Sequence, residues 1–443
     1  MKAPFLRKWI PALLIGVIAL TGCAQQNNSA APDNSVPASN SQAATESGST
    51  DKIKLRMTTW STADSYEMQK SVLDSYMKEH PNVEISFESV PQNYDDKLIA
   101  QFAIGDAPDI ITVGDTQVPI FGKNGGLADM TPFIEGDNGL DLNEFYEDIV
   151  KYGQYQGKLY AMPKDWTNMA IIYNKKLFDE ANLPYPQPGW TWEEMYETAK
   201  KLTKREDDKV VQWGLKLPGA NQRRVQPLVL AYSDGVVSPD GSKYEGYMNS
   251  PGMIKAMQWY SDAYHKDQIT PGSTDTDAFK GIDMFAAGKV AMELNGRWPI
   301  EDYLKDPQLE FGTVPLPVGP NGANNFVFYG GWSIYEKSPN KEAAWDVIKY
   351  MTSRGGSEIF GDFGFVAYKP VAEEKGQATD VNYKSFTDDI PNNKIMPDTL
   401  DPDYPKTGKP AFTEALEKIL LSETDVKQAL DEAAAAADAA KNK

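Results

Sequence analysis

At 443 residues the chain is longer than one hydrophobic core usually holds, so two lobes are expected. Its formal charge of −19 argues against nucleic acid or an anionic membrane surface as a partner, and says little about a neutral ligand. With one cysteine and two distant histidines, His80 and His265, neither an intramolecular disulfide, a zinc site nor thiol catalysis is expected.

Lys2, Arg7 and Lys8 precede the apolar run Trp9–Leu20, and Thr21-Gly22-Cys23 follows. A basic start, a short apolar stretch and small residues describe an export signal over residues 1–22. The run is too short to span a bilayer, which takes about 20 apolar residues. Leu20-Thr21-Gly22-Cys23 resembles a bacterial lipobox, which implies cleavage before Cys23 and a diacylglycerol on its sulfur. Ala24–Thr50 has no aromatic residue and one valine, so residues 23–50 are expected to form a lipidated, disordered tether. Such an anchor would hold the working domain at the outer face of the bacterial cytoplasmic membrane. Removing the three basic residues of the signal takes the charge from −19 to −22.

Ile53, Leu55 and Met57 alternate in a strand that ends at Trp60. A helical pattern through Tyr66, Gln69, Val72, Leu73 and Tyr76 stops before Pro81; Val83, Ile85 and Phe87 form a second strand. A helix carrying Tyr94, Leu98, Ile99 and Phe102 leads to a third strand, Asp109–Val113. Strand–helix repetition predicts an α/β fold with a parallel sheet, whose ligands sit outside the carboxyl ends of the strands. Trp60, Asp115 and Thr116 lie at those ends. Thr191 and Glu194 make a capping box, which marks Trp190 and Trp192 as packing residues.

Trp166 follows Pro163 in a polar loop before the strand Met169–Tyr173. Val211–Leu217 reads as another strand, and Asn221-Gln222-Arg223-Arg224 follows it as either a source of ligand contacts or a solvated helix start. Phe279–Ala286 shows an apolar helical face that stops at Gly288, and Lys289–Leu294 alternates as a strand running into Asn295-Gly296-Arg297-Trp298. That turn presents a guanidinium beside an indole, a fork of donors beside a flat face; Trp298 capping a core is the competing reading. Gly312–Pro317 and Phe326–Ile334 read as strands, and Gly330-Gly331 within the second predicts a bulge or a close backbone approach. Glu414–Ala440 reads as helical.

The segment FKGIDMFAAGKVAMELNGRW resembles the family-1 extracellular solute-binding proteins, the sugar-capturing components of ABC importers. So do Gly105–Asp115, Gly125–Phe133, Gly157–Phe178, Pro188–Thr203 and Ser338–Ser353. The resemblance runs from about Ile53 to the end, except Glu373–Lys409, which leaves ligand contacts from Tyr383 and Tyr404 open. It implies two α/β lobes closing by a hinge on an interlobe cleft. The expected division is 53–162 plus 311–337 for lobe one and 163–310 plus 338–443 for lobe two. Hinges are expected near Ala161–Asp165, Pro307–Thr313 and Tyr335–Ser338. It further implies that Trp298 stacks on a sugar, that the Trp166 loop touches ligand, and that Trp332 is a second stacking candidate. The expected ligand-binding set is Trp60, Tyr94, Asp115, Thr116, Trp166, Asn168, Arg223, Arg297, Trp298 and Trp332.

No GxSxG elbow, GxxxxGK[ST] loop or GxGxxG turn occurs, so no cofactor is expected. The resemblance implies a monomeric, non-enzymatic carbohydrate-binding lipoprotein that serves a membrane permease. A secreted glycoside hydrolase with paired carboxylates is the alternative class, and a non-sugar solute the alternative ligand. Aromatic residues near strand exits favour a neutral oligosaccharide, while Arg223, Arg224 and Arg297 leave room for an acidic sugar.

Overall fold

The computed structural model describes residues 52–422 and 424–443. The expected signal, the lipidated Cys23 and the tether lie outside them. Thr50–Lys443 forms one compact unit by itself. Among the described residues no helix is long and apolar enough to cross a membrane.

The chain opens with β1 (Ile53–Thr59), α1 (Ala63–Glu79), β2 (Val83–Ser89), α2 (Tyr94–Ile104), β3 (Ile110–Gly114) and α3 (Gln117–Lys123). Next come β4 (Met162–Thr167), β5 (Ala170–Asn174), α4 (Trp192–Leu202), α5 (Gln222–Tyr232) and α6 (Pro251–His265). The rest comprises β6 (Met292–Asn295), β7 (Phe311–Pro315), β8 (Phe328–Ile334), α7 (Lys341–Thr352), α8 (Arg354–Phe360), α9 (Gly408–Leu420) and α10 (Val426–Lys441), with short helices and hairpins between.

Two sheets result. The larger runs β2-β1-β3-β8-β4: β1 is parallel to β2 and β3, and β8 is antiparallel to both β3 and β4. Leu55 and Met57 point inward from β1 while Lys54 and Arg56 stay in water, the alternation a half-buried strand requires. Val72, Leu73 and Tyr76 of α1 pack on the same core. The smaller sheet, β6-β5-β7, is antiparallel throughout. Its central strand is buried on both faces, with Ala170 and Ile172 in the first core and Ile171 and Tyr173 in the second. The second core is closed by α4, α5, α6, α9 and α10. Thr191 and Glu194 do form the capping box of α4, and Trp192 is buried beneath it.

Three expectations change. Val211–Leu217 is not a regular strand; Trp213 and Lys216 make isolated parallel bridges to Val290 and Glu293. Phe279–Ala286 forms turns rather than a helix, although Gly288 has the expected left-handed conformation, φ +68°. The expected division of the chain shifts as well. β7 pairs with β5 in the smaller sheet, and α7 packs into the first core through Trp345, Ile348 and Met351. Periodicity predicts that a segment is a strand; its partner is decided by contacts far away in sequence.

Candidate functional site

The carboxyl ends of β1 and β3 meet the start of β8 and the end of β4 along one edge of the larger sheet. Trp60 leaves β1 there, half-buried. Tyr94, at the start of α2, stands edge-on to it at 5.4 Å. Its hydroxyl donates to the carbonyls of Thr112 (2.9 Å) and Thr58 (3.3 Å), so Tyr94 ties the two strand ends and fixes the indole. Burial pushes the Tyr94 hydroxyl pKa up, which keeps it a neutral donor.

Beneath Trp60 lies Lys164, which sequence reasoning missed. Its Nζ sits 5.8 Å from the Trp60 ring and 5.8 Å from the Trp332 ring, and 3.1 Å from Asp165 Oδ2. The Gly330-Gly331 pair does carry a bulge. A Cβ on Gly330 would come within 2.4 Å of Asp165 Oδ1 and 2.9 Å of Lys164 Cε. The glycine is what lets this ion pair lie against the strand.

Trp298 is 48% exposed. Its ring folds back over Gly296, meets Phe328 edge-on at 5.0 Å, and carries the Arg224 guanidinium 4.7 Å from its centroid. The core reading of Trp298 therefore does not hold. Arg297, expected to share the ligand with it, points the other way. Its Nη2 donates to Glu301 Oε1 (2.5 Å) and its Nη1 to the Phe363 carbonyl, while the guanidinium lies 5.0 Å from both the Phe365 and Tyr383 rings. Arg297 braces the loop that carries Trp298 instead of forking toward a ligand.

Trp166, Trp332 and Asn168 are likewise corrected. Trp166 is 3% exposed, stacked on Phe365 at 4.9 Å, and its Nε1 donates to the Val366 carbonyl. Trp332 is fully buried beside Phe360. Asn168 donates to the Phe386 carbonyl at 2.9 Å. All three lie inside strands or strand ends whose both faces are covered, a condition that local sequence cannot reveal.

Asp115 and Arg223 are brought together. The guanidinium, from the first turn of α5, donates to the Asp115 carboxylate, to Thr399 Oγ1 (2.9 Å) and to the Val327 carbonyl (3.4 Å), and lies 4.6 Å from the Phe326 ring. This contact joins the strand edge of the first sheet to a helix of the second core. Asp398 is the second carboxylate in this neighbourhood. Burial pushes its pKa up to about 6, with Arg223 opposing and Asp115 reinforcing the rise. The same desolvation raises the pKa of Asp115. Asp115, Thr116, Arg223, Phe328, Asp398 and Tyr404 line a cavity of about 840 Å³, within the ~300–1,000 Å³ typical of ligand sites. Thr116 is exposed at its rim. The segment left open by sequence supplies Asp398 and Tyr404 to this wall, and Tyr383 to the Arg297 brace. No cluster of potential metal ligands occurs among the described residues.

The arrangement offers aromatic faces beside buried, hydrogen-bonded carboxylates and guanidinium groups, which suits a polyhydroxylated ring with apolar C–H faces. Residues 59–358 match the family model of bacterial extracellular solute-binding proteins. A maltotriose-binding protein of Pyrococcus abyssi is 26% identical over 325 residues, 71% of this chain and 66% of that protein. The diacetylchitobiose binding protein DasA of Streptomyces coelicolor is 27% identical over 253 residues, 56% of each chain. Among solved structures, an ABC substrate-binding protein of Listeria monocytogenes in complex with cycloalternan superposes with a TM-score of 0.76 at 23% identity, covering 87% of this chain and 98% of that one. With its two-lobed α/β fold and a family match over most of its length, the chain belongs to the bacterial extracellular solute-binding protein family.

Proposed function

We propose that the protein captures an extracellular oligosaccharide in the cleft between its lobes and hands it, unchanged, to the permease of an ABC importer. The observation that carries this reading is the half-exposed Trp298 indole beside Phe328, a residue that also lines, with Asp115 and Arg223, a cavity of approximately 840 Å³. The names of the Pyrococcus, Streptomyces and Listeria relatives, all sugar binders, support the same ligand class. Hinges fit best where the chain passes between sheets, at Asn168-Met169 and between β7 and β8. The lipid on Cys23 and the tether of residues 23–50 would keep the protein beside its permease, at the outer face of the membrane. Isothermal titration of Thr50–Lys443 against oligosaccharides of two to five rings tests the binding, and chromatography of the sugar afterwards tests its fate. A saturable, enthalpic response with intact sugar is expected. Silence across the panel would overturn the carbohydrate reading; shortened sugar would favour a hydrolase.

A further inference from the structure

The three arginines near the cleft are not equivalent. Arg223 is neutralised by Asp115 and Arg297 by Glu301. Arg224 has no carboxylate within 4 Å and no side-chain hydrogen bond among the described residues; its guanidinium rests on the Trp298 ring. It is half-buried, and desolvation lowers its pKa, opposed by the more distant Glu293. A guanidinium holds five N–H donors in a planar fork, and leaving them unanswered in a partly dry site is costly. Lys216 lines the same cavity as Arg224, one of about 1040 Å³ that runs past Trp213 and Tyr264. Its Nζ makes no hydrogen bond among the described residues either; Glu293 Oε2 is 3.8 Å away. Glu293 is itself 1% exposed and takes the Tyr303 hydroxyl at 2.8 Å, so it faces away from solvent. Arg224, without an ion-pair partner among the described residues, and Lys216, held by a long ion pair with Glu293, therefore share one cavity with Lys209 and the carboxylates of Asp208, Asp275 and Glu417. Screening over roughly 8 Å at physiological salt makes the groups nearest a ligand, above all the unpaired Arg224 fork, count for more than the distant surplus.

We propose that Arg224 and Lys216 form a carboxylate subsite, so that the preferred ligand is an oligosaccharide carrying a uronic acid. This rests on the carbohydrate reading above and narrows it. A pyranose laid against the exposed part of Trp298 would bring its exocyclic carboxylate beside the Arg224 fork, where a bidentate, charge-assisted pair replaces the missing partners. Asp208, Asp275 and Glu417 also line the cavity, and Asp275 is already engaged by the Gly272 N–H at 3.0 Å. The chain beyond the uronate would continue into this second cavity.

Titrating the full-length chain with tri-galacturonate, with its methyl ester and with maltotriose separates the possibilities. The free acid is expected to bind on the order of ten- to hundred-fold more tightly than its ester, the loss of one charged hydrogen-bond pair. That advantage should shrink as salt rises. Arg224→Gln should collapse the acid-to-ester ratio toward one, and Arg224→Lys should restore part of it; a melting curve of each variant checks that it folds. Equal affinity for acid and ester, or an Arg224→Gln loss that is the same for both, would overturn the subsite. Tight binding of maltotriose alone would overturn it too while leaving the carbohydrate reading intact, whereas no binding of any sugar would sink both.

Discussion

Trp298 and Trp166 look alike in sequence, each an indole in a polar stretch beside a strand, yet they call for opposite experiments. Trp298 is half in water, so Trp298→Ala removes the proposed ligand surface and little packing. A loss of about 2 kcal/mol in binding is expected from the buried aromatic face, about 30-fold in Kd, with melting nearly unchanged. Trp166 is enclosed by Phe365 and Tyr146, so Trp166→Ala should cost about 3–5 kcal/mol of stability. Calorimetric melting and titration on the same samples distinguish them; a destabilised Trp298→Ala with unchanged affinity would reverse the assignment. Asp398 makes a pH-dependent case. The folded protein holds its proton up to about pH 6, against an ordinary value of 3.8, so its contribution to stability falls as pH rises from about 4 to 6 and then levels. The ionised form costs about 3 kcal/mol at neutral pH by that linkage. Asp398→Asn keeps an acceptor for Gln226 Nε2 and carries no charge. Relative to wild type it should gain stability as pH rises through that window and show no difference that grows further above it. A wild-type-minus-mutant difference independent of pH would refute the assignment. The strand-exit rule thus pointed to Trp60, Asp115, Arg223 and Trp298 as candidates. It could not separate exposed from enclosed side chains, because enclosure depends on Phe365, nearly 200 residues beyond Trp166 in the chain.

Local chemistry was enough to recognise most of the elements. The capping box of α4, the alternation of β1 and the i, i+3, i+4, i+7 face of α1 are each written within a dozen residues. Glu373–Lys409 was opaque for the opposite reason. It folds as single turns, at Lys384–Thr387, Ile390–Asn392 and Pro397–Leu400, too short for a period to show, and is held by contacts such as Asn325 Nδ2 to Asp389. The paired glycines of β8 lie between these extremes: the bulge was legible, its purpose was not. Gly330 leaves room for the Lys164–Asp165 pair under Trp60, and Lys164, with a side chain 5% exposed, has nowhere to move. Gly330→Ala is therefore expected to cost about 1–3 kcal/mol of stability through overpacking and to weaken ligand binding by disturbing Trp60. Chemical denaturation with titration checks both. A variant as stable and as tight-binding as wild type would show that this close approach carries no weight.

For the whole molecule, the two lobes were legible from length and from the order of the family motifs, but their exchange of strands was not. β7 joins the smaller sheet, β8 returns to the larger, and each pairing was decided across more than a hundred residues. Arg223 spans the two cores, since it grips Asp115 at the edge of the larger sheet from the first turn of α5. A ligand that touches both walls binds the closed arrangement better and shifts the population toward it, by no more than the difference between its two affinities. Small-angle scattering should thus show a smaller radius of gyration at saturating ligand. Arg223→Ala removes the interlobe grip and leaves the buried Asp115 and Asp398 without their cation, which disfavours closure because two uncompensated carboxylates then prefer water. The variant is expected to have a larger radius than wild type without ligand, and to need a higher ligand concentration to reach the compact form. An identical radius in all four states, with ligand binding verified by titration, would exclude hinge closure as the means by which this cleft holds its ligand.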